Sequence, residues 1–241
     1  MTIGSSWPAA AGILAASVLL AGCAGRHAAP DGAELAGEPV PQEWLAEAAK
    51  VVPLDGARSQ ILVRIYRSGR LARLGHNHAI EVADLTGELM GLSAGGGLAR
   101  LRFRPDQLRV DDPAARARAG EAFSQLPDDG AVEGTRRNML GPEVLDAEAW
   151  PEVGVLARID DLNAARPEAE IHLSLRGVGR LYRVPVLIQT VTGGISVSGS
   201  LQIKQSDYGI TPFSVMGGAL QVRDMLDVDF RIVGRLSDGA L

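Results

Sequence analysis

From Ile61 onward, apolar side chains recur at every second position, so the chain reads as a succession of strands with one oily face. ILVRIYR puts Ile61, Val63 and Ile65 on one side, and HAIEVADLTGEL continues with Ile80 and Val82. LARLRFR alternates Leu101 and Phe103 with Arg100, Arg102 and Arg104. EVGVLARI lines up Val153, Val155, Ala157 and Ile159, and EIHLSLR lines up Ile171, Leu173 and Leu175. LYRVPVLIQ follows a GVG turn and ISVSGSLQIK follows TGG; in the latter, Ile195, Val197, Leu201 and Ile203 oppose a serine-rich face. LDVDFRIVGR ends the series with Val228, Phe230 and Ile232. These eight runs predict a mainly β fold, an eight-stranded antiparallel barrel closed or nearly closed, with water outside. Its interior would be just wide enough for side chains or one slim ligand. Between the strands near 103 and 155 the rhythm breaks: PAARARAGEAFSQL, AVEGTRRNML and GPEVLD are helix-like, an insertion placed to cap one end.

The chain ahead of the barrel has a different character. AAAGILAASVLLAGC is an apolar run ending in small residues at Cys23, the chain's one cysteine. Leu20-Ala21-Gly22-Cys23 resembles the lipobox of bacterial lipoproteins, although residues 1–22 carry no Lys or Arg. That resemblance implies cleavage before Cys23, acylation of Cys23 and a periplasm-facing, membrane-anchored protein of the cell envelope. Ala24 lacks the Asp associated with inner-membrane retention and so favours the outer membrane. The expected organisation is a signal peptide over 1–22, the lipidated Cys23 with a flexible tether to 52, and a barrel over 53–237. QEWLAEAAK is expected as a short amphipathic helix within the tether.

A formal charge of −5 without a basic run argues against a nucleic-acid partner. Aromatic residues are 4% of the chain, so the core is aliphatic. There is no nucleophile elbow, Gly-rich phosphate loop, His-Glu-x-x-His helix or Cys-x-x-Cys pair, and neither an enzymatic activity nor a cofactor is expected.

Four passages in order resemble the YceI-like family, lipocalin-like proteins associated with polyisoprenoid binding. They are LDGARSQILVRIYRSGRLARLGHNH, NMLGPEVLDAEAWPEV, LSLRGVGRLYRVPVLI and GSLQIKQSDYGI, within a span of about residues 52 to 236. The resemblance implies a lipocalin-like barrel and a polyisoprenoid or quinone-like ligand. One departure stands out. The family's helix often carries Arg-Asp-x-His-Leu, where this chain has Arg136-Arg137-Asn138-Met139-Leu140, so the helix histidine is absent.

The candidate ligand-binding set is therefore Ile61, Val63, Ile65, Ile80, Val82, Leu101, Phe103, Val155, Ile171, Leu173, Val197, Leu201, Phe230 and Ile232 on the apolar wall. His76, His78 and Tyr208 are expected to meet a head group. His76 and His78 share parity with Ile80, and alternate residues of a strand stand about 6.6 Å apart, within reach of one metal ion. Zinc needs three or four ligands, and His172 has the parity of an outward residue facing solvent. Three readings stay open for GHNH: the lip of a pocket, imidazoles satisfied by backbone, or a weak metal site. Phe213, Val215 and Met216 form either an apolar rim over an opening or ordinary loop packing. RARAGEAF reads as the outer face of a helix, and Arg100, Arg102 and Arg104 as a solvated stripe paired across the sheet. The competing functional reading is a structural module whose barrel is filled by its own side chains.

Overall fold

Eleven strands, not eight, make up the main sheet, and the difference comes from breaks. The computed structural model describes Met1, residues 38–92 and residues 94–235. The apolar leader, Cys23 and the start of the expected tether lie outside the described residues. The chain divides into two units, Met1–Ala33 and Glu34–Leu241, and every element named here belongs to the second.

In chain order the strands are β1 (Ala48–Pro53), β2 (Gln60–Ile65), β3 (Arg67–Ser68), β4 (His78–Val82), β5 (Thr86–Leu92), β6 (Gly97–Phe103) and β7 (Leu108–Val110). After the helical insertion come β8 (Val153–Ile159), β9 (Glu168–Leu175), β10 (Val178–Val191), β11 (Gly194–Lys204), β12 (Ser214–Val215), β13 (Leu220–Val222) and β14 (Met225–Arg235). The large sheet runs β1-β5-β6-β8-β9-β10-β11-β14-β2-β4-β7, with every pairing antiparallel. A small sheet, β12-β13-β3, stands apart from it.

Three of the eight walls are each broken in two. β1 and β2 both run beside β14 but are separated by the Asp55 turn, where the Asp55 carbonyl accepts from the Arg58 and Ser59 amides. β4 and β5 are consecutive and pair with β2 and β1, respectively. β6 and β7 are split by a 3-10 turn over Pro105–Gln107, and proline has no amide to donate to a ladder. Leu54, one residue past β1, bridges back to Gly234 of β14, so the sheet curls upon itself. Strand pairing begins at Ala48, inside the segment expected as tether, because β1 supplies the outer partner of β5.

The helical insertion is α2 (Pro113–Ala119), a 3-10 turn over Glu121–Phe123, and α3 (Asp129–Leu140). Both helices have acidic N-caps. Asp112 accepts from Ala114 and Ala115 amides at 2.9 and 3.2 Å, and Asp128 accepts from Ala131 at 2.8 Å. α2 lies on the outer face of β2 and β4, where Leu62 and Ala79 pack with Ala115, Ala119 and Phe123. From α3 and the turn behind it, Met139, Leu140, Val144 and Leu145 reach the central apolar cluster. A short helix, α1 (Gln42–Ala46), sets Trp44 over Met90, Leu92, Leu98 and Leu156, the outward residues of β5, β6 and β8.

Candidate ligand-binding site

The interior of the barrel is hollow. A cavity of about 470 Å³ runs from Lys50, Gly91 and Leu162 at one end to Leu145, Gln205, Tyr208 and Ile210 at the other. The burial pattern agrees with it. Val63, Ile65, Phe103, Val155, Ala157, Leu173, Leu201 and Phe230 face inward, yet each is only half-buried, because each borders empty space. Leu156 faces outward and is buried, because α1 covers it. Close packing of the barrel by its own side chains would have reversed that order, and the filled-barrel reading is corrected here.

All fourteen aliphatic and aromatic residues expected on the inner wall lie on it: Ile61, Val63, Ile65, Ile80, Val82, Leu101, Phe103, Val155, Ile171, Leu173, Val197, Leu201, Phe230 and Ile232. Tyr208 borders the cavity as well. It is 1% exposed, and its hydroxyl is 2.9 Å from that of Tyr182. The pair spans a seam in the barrel. β10 pairs with β9 through Val178–Pro185 and with β11 through Val186–Val191, so the far half of β11 is left without β10. Burial pushes the Tyr208 phenol far above its ordinary value, and the bond to Tyr182 adds to that.

The histidines are a correction. Neither His76 nor His78 lines the cavity. His78 Nδ1 is 2.6 Å from Asp111 Oδ2, and its Nε2 is 3.5 Å from the Thr135 hydroxyl. The Asp111 carboxylate also accepts from the Ala79 amide at 2.9 Å and from Arg116 Nη1. Burial alone would raise the Asp111 pKa. The hydrogen bonds from His78 and the Ala79 amide, the His78 charge and the Arg116 bond together hold it below its ordinary 3.8. Asn77 accepts from the Arg67 amide at 3.1 Å and donates to the Ala122 carbonyl at 2.9 Å. GHNH is thus a polar anchor that ties β4 to α2, α3 and the small sheet. No three His, Cys, Asp or Glu side chains gather around a common point among the described residues.

Two other expectations fail for one reason, the covering of outward faces by chain the alternation does not reveal. His172 does point away from the cavity, but it is 2% exposed and not in solvent. Its Nε2 is 2.7 Å from the Glu38 carbonyl, and that strand of chain crosses so near that a Cβ on Gly179 would sit 2.0 Å from the same oxygen. Arg116, expected on an outer helix face, is 3% exposed and ion-paired to Asp111. By contrast, Arg100 does pair across the sheet, with Glu88 at 2.7 Å.

Sequence reasoning missed Lys50 and Gln205, which with Tyr208 are the ionisable or amide side chains on the wall. Lys50 shares parity with Val52, and an irregularity in register between Ala48 and Lys50 precedes it. The alternation of Lys50 and Val52 in KVVP was the available signal, too short to stand out beside a Pro-rich segment.

The fold has known counterparts. BcnA of Burkholderia cenocepacia superposes with a TM-score of 0.53 at 15% identity, covering 75% of this chain and 98% of that one. A polyisoprenoid binding domain from Saccharophagus degradans, implicated in plant cell wall breakdown, gives 0.51 at 13% identity over 78% and 98%. The Campylobacter jejuni YCEI protein gives 0.46 at 11% identity over 66% and 85%. The chain has the YceI-like fold. No family model matches the sequence, and no curated protein matches it. The lipocalin-like barrel expected from the sequence is therefore present, with eleven strands in place of eight.

Proposed function

We propose that this YceI-like protein carries an extended apolar lipid, a polyisoprenoid or quinone-like chain, in its barrel without chemically changing it. The observation that supports this best is the 470 Å³ hollow walled by aliphatic side chains from β2, β4, β6, β8, β9, β11 and β14. A cavity of this size falls within the range of small-molecule sites. Each methylene moved from water into such a wall gains about 0.8 kcal/mol, so one five-carbon unit contributes several. The wall has little hydrogen-bonding capacity, so it grips by area and tolerates chain-like ligands of varied detail. The Saccharophagus degradans counterpart, described as a polyisoprenoid binding domain, supports the same reading. Polar head-group contacts shift from the histidines to Lys50 at one end of the cavity or Gln205 and Tyr208 at the other.

Acylation at Cys23 would hold the barrel beside the bilayer that supplies its ligand, on the periplasmic side and by preference at the outer membrane. Incubation with a long-chain polyprenol or a quinone, followed by removal of free lipid, tests the reading. Uptake of about one molecule per chain is expected. Ala99 and Ala157 face each other across β6 and β8 on the wall, and Ala157→Trp places a large ring inside the cavity. That variant should take up far less. No uptake by the wild type, or equal uptake by Ala157→Trp, would overturn the proposal.

A further inference from the structure

We propose that the small sheet β3-β13-β12 and the turn over residues 71–75 form a surface that docks on an anionic lipid bilayer. Single exposed hydrophobes are ordinary on a protein surface, but a cluster of them is not. Here Leu74, Phe213, Val215 and Met216 are 63%, 40%, 37% and 71% exposed. The fold brings them to one place. Val215 pairs with Leu220, Gln221 pairs with Ser68, and the Leu71 amide donates to the Ala219 carbonyl at 2.7 Å. None of the four lines the cavity.

Charge identifies the partner. The two segments that build this surface, residues 67–75 and 213–223, contain four arginines and no Asp or Glu, in a chain whose formal charge is −5. Two of these arginines are engaged: Arg67 with the Gly75 carbonyl, and Arg223 over the Tyr66 ring at 5.3 Å. Arg70 and Arg73 are exposed and have no ion-pair partner among the described residues. Apolar tips flanked by unpaired guanidinium groups suit the headgroup region, where the tips leave water and the arginines meet phosphate. Ile210, at the start of the same loop, is on the cavity wall. Docking through this surface therefore sets one end of the cavity next to the bilayer. The surface is independent of Cys23 and of whether the barrel carries lipid.

The test uses the full chain with Cys23→Ser, which removes its only cysteine, and Met216→Cys labelled with an environment-sensitive fluorophore. The reference label goes on Leu187→Cys, 57% exposed on β10 and away from the surface. Vesicles of phosphatidylglycerol and phosphatidylcholine should shift the emission at position 216 to the blue and leave position 187 unchanged. Vesicles of phosphatidylcholine alone should give a much smaller shift, and Arg70→Glu with Arg73→Glu should weaken partitioning at least tenfold. No shift at 216 with the anionic vesicles, an equal shift at 187, or indifference to the double substitution would overturn the proposal. So would a shift that grows with protein concentration in the absence of vesicles, which would make the surface a contact between copies of the chain.

Discussion

The Asp111 carboxylate joins β4 to the helical insertion. The residue is 6% exposed, and its carboxylate receives Arg116, His78 and the Ala79 amide at once. Removing it strands a buried guanidinium. Asp111→Ala should therefore cost about 3–5 kcal/mol in a urea unfolding experiment, and a loss under 1 kcal/mol would show that the pair is solvated. The same contacts give a pH dependence. The folded pKa of Asp111 lies below the unfolded value of 3.8, so its contribution is present above 3.8 and is lost as pH falls through the folded value. Stability measured below about pH 4 should fall more steeply for the wild type than for Asp111→Asn. Tyr208 works in the opposite sense. Its pKa is raised, so its contribution is intact below 10 and declines as pH rises beyond it, a decline that Tyr208→Phe should flatten.

At the scale of elements, the barrel depends on short breaks more than on long strands. Gly87, the second residue of β5, has φ +153°, and a Cβ there would lie 2.2 Å from the Arg100 carbonyl of the paired strand. Gly87→Ala should cost at least about 2 kcal/mol by chemical denaturation, through strain and a displaced β5–β6 ladder. A cost near zero would mean that the ladder yields freely. From Ile61 onward the alternating runs of five or more residues were legible in the sequence, because an inward face there is apolar. The breaks were not. β7 is three residues long, too short for a period to register, and β1 is hidden behind a Pro-rich stretch. The covering of outward faces was also illegible, since alternation reports which side a residue takes and not what lies over that side. His172 under the Glu38 carbonyl and Arg116 beneath the surface are both cases of it. His78 marks a third limit. Its parity with Ile80 was read correctly, but at the end of β4 that direction leads to Asp111 and Thr135 and not to the cavity.

For the whole molecule, the hollow is an energetic statement as well as a geometric one. At roughly 24 cal/mol per Å³ of unfilled core, the cavity of about 470 Å³ forgoes packing on the order of 10 kcal/mol, comparable to the net stability of a domain. An apolar occupant should recover part of this. With a polyprenol at about 100 times its Kd, stability should rise by about 2.7 kcal/mol, a Tm increase of roughly 5–10 °C for a chain of this size. The most direct measurement of the central claim is native mass spectrometry of the purified chain before and after extraction with organic solvent. The account predicts that the untreated protein carries one chain-like lipid, that extraction removes it, and that added polyprenol restores the mass. Protein that has the bare chain mass throughout, and keeps it after incubation with polyprenol or quinone, would contradict the account.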